Sequence, residues 1–163
     1  MRATVVNNPI YHSPLKDNPI ANRLSDRVLT LGTLAINFSS NVSASPDASK
    51  TDNGSNTNAL RHTMIMALIG SKFGRDFAEA TGQSHEASIG DMPEFPLSYV
   101  FDNDDASDSA IDIRNNHAGV DIGAANPDAT PMQLAFKVLE WAATKGLYKA
   151  VEIEGGNGKV VEA

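Results

Sequence analysis

The chain has 163 residues, no cysteine and a formal net charge of −7, with 41% hydrophobic and 20% charged residues. That length suits one domain able to bury a real core. Lys and Arg are nowhere clustered, so the acidic balance argues against a nucleic-acid partner. The missing cysteines exclude disulfides, a thiol nucleophile and a Cys-based zinc site. No apolar run reaches membrane-spanning length, and "MRATVVNNPIYHSP" lacks the apolar centre of a signal peptide. We therefore expect neither an integral membrane protein nor a cleavable signal, and a chain that is cytoplasmic or exported by a signal-independent secretion system.

In chain order, "DNPIANRLSDRVLTLGTLAINF" carries the first helical pattern. Asp17 or Asn18 can cap it, Pro19 suits a first turn, and Ile20, Leu24, Val28, Leu31 and Ala35 form an apolar stripe. The Ser/Asn/Asp-rich stretch from 39 to 56 has almost nothing to bury and reads as a mobile polar loop. "TNALRHTMIMALIGSKF" is apolar on every face, as a buried central helix would be, with Thr57 or Asn58 as its cap. Residues around Ser98 to Phe101 suggest a short extended piece after a Pro-broken loop. "SDSAIDIRNNHAGVDIGAANP" looks helical from about Ser109 to Ala124, with Ser107 or Asp108 as cap. In "TPMQLAFKVLEWAATKG" Thr130 caps, Pro131 opens, Leu134, Val138 and Trp141 face the core, and Gly146 closes. "YKAVEIEGGNGKVVEA" resembles two short strands around a glycine-rich turn. The expected fold is mainly α: one helical domain over residues 1–163 containing an αα-hairpin, with a small C-terminal β-hairpin.

The hairpin matters because of what it would join. Arg61 and His62 stand near one end of the most apolar segment, and His85 and Glu86 follow its far end. A straight helix would hold His62 roughly 28 Å from Thr81. Gly74 offers a stop and a restart, however, and lies 12 positions after His62 and 11 before His85. A reversal there brings the two histidines level. On the later helix Asp112, Asn115 and Asn116 are three and four apart and share a face. His62, His85 and Asp112 then form a set suited to a divalent metal, zinc favoured, with positions open for water. Arg61 or Asn116 would steady a substrate, the metal would activate water, and Glu86 or Asp112 would handle the proton. The site-bearing core is residues 57–123.

"NALRH", "HE" and "DIRNNHAG" together resemble a family of bacterial domains of unknown function marked by NAxRH, AHE and DxxNNxxG motifs. The resemblance covers about residues 57 to 123 and departs at Ser84, where alanine is usual, and at Val120, where a basic residue is expected. It implies a metal-dependent hydrolase of polymorphic-toxin or secretion-effector type. Such a protein would act on the bacterial cell envelope, on a peptidoglycan amide or a phospholipid ester, and would be neutralised by a cognate immunity protein. The competing expectation is a non-catalytic metal-binding or helical accessory protein, with the His/Asp/Asn cluster as a polar network and Arg61 paired to Asp112 or Glu86. His12 and His117 have no partner logic. "HEASI" lacks the second His of a zinc helix, and "GQSHE" lacks the final Gly of a nucleophile elbow. "DNDDASD" lacks the glycine and Glu of a calcium loop, and "GGNGKVV" is not a phosphate loop. A solvated acidic loop suits "DNDDASD" better.

Overall fold

Proline at position 19 opens the first helix, α1, which runs over Pro19–Ser43. The computed structural model describes residues 19–43, 55–85, 100–101, 104–153 and 157–162, with side chains described over 31–43, 55–85 and 107–149. Helix α1 extends five residues past Phe38, into the segment expected as polar loop. Its serines make that possible: Ser39 and Ser40 donate to the Ile36 carbonyl and Ser43 to that of Ser39. Hydroxyls satisfied on their own helix do not compete for the backbone elsewhere. Ser39 is fully buried, so polarity here does not mean exposure. The remainder of the expected loop, residues 44–54, lies outside the described residues, as do His12 and Glu86.

Helix α2 spans Asn56–Phe73. Ser55 is its cap, its hydroxyl accepting from the Asn58 amide, so the cap falls before Thr57 and Asn58, which are both buried helical residues. Gly74 closes the helix at a φ of 86°, its amide donating to the Gly70 carbonyl. A positive φ favours glycine strongly. Helix α3, Arg75–His85, starts at the next residue and turns back along α2.

A short strand β1, Val100–Phe101, precedes helix α4, Asp104–Ala125. This helix begins five residues earlier than its apolar pattern suggests. Its start falls within the acidic stretch of the sequence. Most of the expected acidic loop is thus helix, and Ser107 is buried inside it. Helix α5, Pro131–Lys145, has the capping box of Thr130 and Gln133 and ends at Gly146 with a φ of 75°. Trp141 is only half-buried, with the Lys145 ammonium 3.6 Å from its ring centroid. Strands β2, Tyr148–Ile153, and β3, Asn157–Glu162, pair antiparallel, and β1 adds to β3 in the order β1-β3-β2. The fold is mainly α, with five helices among the described residues.

Helix α2 is the centre. One core cluster joins its Leu60, Met64 and Leu68 to Ala35 of α1, Ile122 of α4 and Leu134 and Val138 of α5. A second joins its Met66 and Ile69 to Ala78 of α3 and Val120 of α4. Apolar side chains on every face are explained by neighbours on every face.

The closest packing is between α2 and α4, and it is parallel. Asn58 bonds Asp112 and His62 bonds Asn116, each 54 residues apart, and Ser71 bonds the Asn126 carbonyl 55 residues on. A constant offset means the helices run the same way, with α3 as the return. Glycines let them touch. A Cβ on Gly119 would sit 2.3 Å from the Thr63 carbonyl oxygen, and one on Gly123 would sit 2.4 Å from that of Ala67. The α4 glycines therefore press directly on α2 backbone. At the far end Ser71 donates to the Asn126 carbonyl and accepts from the Ala129 amide, which fixes the α4–α5 turn.

Candidate functional site

The first turns of α2, the middle of α4 and the end of α3 meet in one polar cluster. His62 is 8% exposed and Asp112 6%. The His62 Nε2 lies 3.2 Å from Asp112 Oδ2, and its Nδ1 lies 3.1 Å from Asn116 Oδ1. Asp112 accepts through its other oxygen from the Asn58 side-chain Nδ2 at 2.7 Å, and Asn58 Oδ1 in turn accepts from Arg61. The chain Arg61–Asn58–Asp112–His62–Asn116 thus links two helices. On α2 Asn58 stands three residues before Arg61 and four before His62, and on α4 Asp112 stands four before Asn116, so each set shares one helix face.

Both His62 ring nitrogens face acceptors. As a neutral ring donating from Nε2 or as an imidazolium, His62 is held from both sides, by the Asp112 carboxylate and the Asn116 side-chain amide. Leaving either charge alone in so buried a position would be costly, which ties the two residues together. The fixed ring is also presented sideways to His85: the centroids are 6.1 Å apart at an interplanar angle of 77°. His85 is exposed and sits in the last turn of α3, a position where positive charge is favourable. The reversal at Gly74 does bring the two histidines together.

The expected residues do not all enter this cluster. Asn115 turns away and clamps the start of β2, donating to the Tyr148 carbonyl and accepting from its amide, both at 2.9 Å. It does for one residue what a neighbouring strand would do. Arg61 is bridged to Asp112 through Asn58 instead of pairing with it. His117 is exposed. The sequence offers Asn58 only as a helix cap and a motif residue, and the packing role of the glycines at 119 and 123 is not read from it. The glycine pair is a legible signal, because a four-residue spacing puts both on one face of a helix.

Beside the cluster is an open cleft of about 430 Å³ between α1, α2 and α3. Its walls are mostly apolar, with Ile36, Ile65, Met66 and Ile69 prominent, and Arg61, His62, Thr81, His85 and Asn116 supply the polar groups. That volume and that mixture suit a small ligand.

A zinc ion was the sequence expectation, and the donor chemistry bears on it. Among the described residues no three His, Asp or Glu side chains are grouped to hold a metal. Both nitrogens of His62 are engaged by protein acceptors, and Asp112 is already bonded on each oxygen. As folded, the described residues of the set do not fit zinc.

A family model described as Domain of unknown function (DUF6973) matches residues 24–147, and the chain belongs to that family. The match extends well beyond the motif-bearing core, from α1 through α5. No curated protein and no solved structure matches the chain. Among the described residues no helix is long and apolar enough to cross a membrane.

Proposed function

We propose that this member of the family is a small hydrolase working in the cleft between α1, α2 and α3. One observation carries the reading. A mostly apolar pocket of small-molecule size has two imidazoles on its wall, one locked by a buried carboxylate and one exposed to solvent. Locked and accessible titratable groups side by side in a cleft are how acid–base sites are built.

The roles follow from accessibility. His85 is the proton carrier: it takes a proton from water as the water oxygen bonds to the substrate carbonyl carbon. It returns that proton to the leaving group as the carbon–heteroatom bond breaks. His62 does not exchange protons, since Asp112 and Asn116 hold it on both sides. It positions the reacting centre. Arg61 uses the N–H groups not given to Asn58 to hold the substrate's polar part. An exported antibacterial effector acting on the cell envelope, paired with an immunity protein, is the role we attach to this chemistry. Its support is the motif resemblance alone.

The test is a panel of phospholipid, lysophospholipid and peptidoglycan substrates incubated with purified protein, with products read by mass spectrometry. The wild type should release product from one class, and His85→Gln should lower kcat by about 10²-fold or more with an unchanged circular dichroism spectrum. No turnover on any class would overturn the enzyme reading. It would favour the alternative of a helical accessory module, for which the closed hydrogen-bond chain around His62 is the specific support.

A further inference from the structure

The cleft has a chemical polarity of its own. Arg61 is half-buried, and its one hydrogen bond among the described residues is to the neutral Asn58 side chain. No carboxylate is among the described residues lining the cleft, while Arg61, His62 and His85 all do line it. The Asp112 carboxylate behind the wall balances His62, which leaves Arg61 and His85 to make the described lining basic in a chain carrying a net charge of −7. A guanidinium satisfied only by an amide keeps most of its donors for a ligand. Ile65 and Ile69 follow Arg61 at four-residue steps on α2, and Ile36, 40% exposed, faces them from α1. The pocket therefore offers an anion-binding end continued by an apolar slot.

Resting on the reading of this cleft as a substrate site, we propose that it takes an anionic amphiphile. One alkyl or acyl chain lies between α1 and α2, and a phosphate or carboxylate group lies on Arg61. The apolar slot selects against a peptidoglycan fragment, whose sugars and peptide carry no such chain. Bidentate contact from Arg61 fixes which end of the chain lies beside His85.

The experiment is calorimetric titration of the full chain with sodium octanesulfonate, which is anionic and amphiphilic and has no bond to hydrolyse. Binding is then read apart from catalysis. Octanesulfonate should saturate one site, while inorganic sulfate and octanol each bind about tenfold more weakly or worse. Arg61→Gln, which keeps an amide donor for Asn58, should weaken octanesulfonate about tenfold and leave octanol unchanged. Ile36→Gln, on the exposed side of α1, should weaken octanesulfonate and octanol and leave sulfate unchanged. Displacement by decanoate would mark a carboxylate amphiphile as the source, and displacement by a lysophospholipid a phosphate one. Equal affinity of wild type and Arg61→Gln for octanesulfonate, or displacement by neither lipid, would overturn the proposal. Hydrolysis of a water-soluble ester alongside such a failure would leave the catalytic reading standing. Binding without any hydrolysis would support the amphiphile site and count only against the enzyme.

Discussion

Replacing Gly119 by alanine probes the contact on which the whole site depends. The added methyl would lie 2.3 Å from the Thr63 carbonyl oxygen and 2.7 Å from the Met66 Cβ, where ordinary contact begins at 3.4 Å. Helices α2 and α4 must therefore part locally by about 1 Å. The His62 bonds to Asp112 and Asn116, at 3.2 and 3.1 Å, have only a few tenths of an ångström to give. Alanine's better helix propensity returns about 1 kcal/mol. Overpacking costs about 1–3 kcal/mol, and each hydrogen bond stretched beyond use costs about 1 more. The net expectation is a loss of roughly 2 kcal/mol, or about 4–8 °C in Tm for a chain of this size. The control is Gly32→Ala on α1, where the new methyl meets nothing within 4 Å. There only the propensity operates, and stability should rise by about 0.5–1 kcal/mol. Urea unfolding followed by circular dichroism reads both. Equal stabilisation by the two substitutions would refute the idea that glycine contact sets the spacing of α2 and α4.

Asp112→Ala should cost about 3–5 kcal/mol, since it strands His62 and Asn58 in a buried position. Adding His62→Leu should cost less than the sum by about 1 kcal/mol or more, and strict additivity in a double-mutant cycle would show the two residues uncoupled. Asn115→Ala should lose about 2 kcal/mol and speed hydrogen exchange at the Tyr148 amide, while release of product persists. Unchanged exchange there would mean the clamp does not hold β2. The Glu140 carboxyl is held below its ordinary range by the hydrogen bond and charge of Lys137. Its contribution is complete above the ordinary carboxylate pKa and disappears as pH falls through the lower folded value. Lys137→Met should move the Glu140 NMR titration back upward and, on a fully exposed pair, barely change unfolding at neutral pH. A titration that does not move would remove Lys137 as the cause.

What the sequence made legible is what local chemistry decides. Gly74 stops α2 because no other residue is comfortable at its φ, and the symmetric spacing of His62 and His85 about it follows from counting. Thr130, Pro131 and Gly146 bound α5 for similarly local reasons. Composition misled at α1, where the serines at 39, 40 and 43 are read as loop but bond their own helix. At α4 the acidic residues taken as a loop start the helix. The division of labour between Asn115 and Asn116 was not legible. Adjacent residues on a helix point about 100° apart, so both could not serve one site, yet which faced the cluster depended on where β2 and α2 pack. The placement of Asn58 depended equally on the parallel register of α2 and α4. That register is a tertiary fact, hinted at only by Gly119 and Gly123.

The most direct test of the site is the state of the His62 ring, read from its nitrogen-15 shifts in a long-range proton–nitrogen NMR spectrum. The hydrogen-bonded arrangement with Asp112 and Asn116 predicts a proton-bearing Nε2 directed at Asp112, and a spectrum that a chelator leaves unchanged. An unprotonated Nε2 whose shift moves when the chelator is added would contradict it, and would return His62 to the role of a metal ligand.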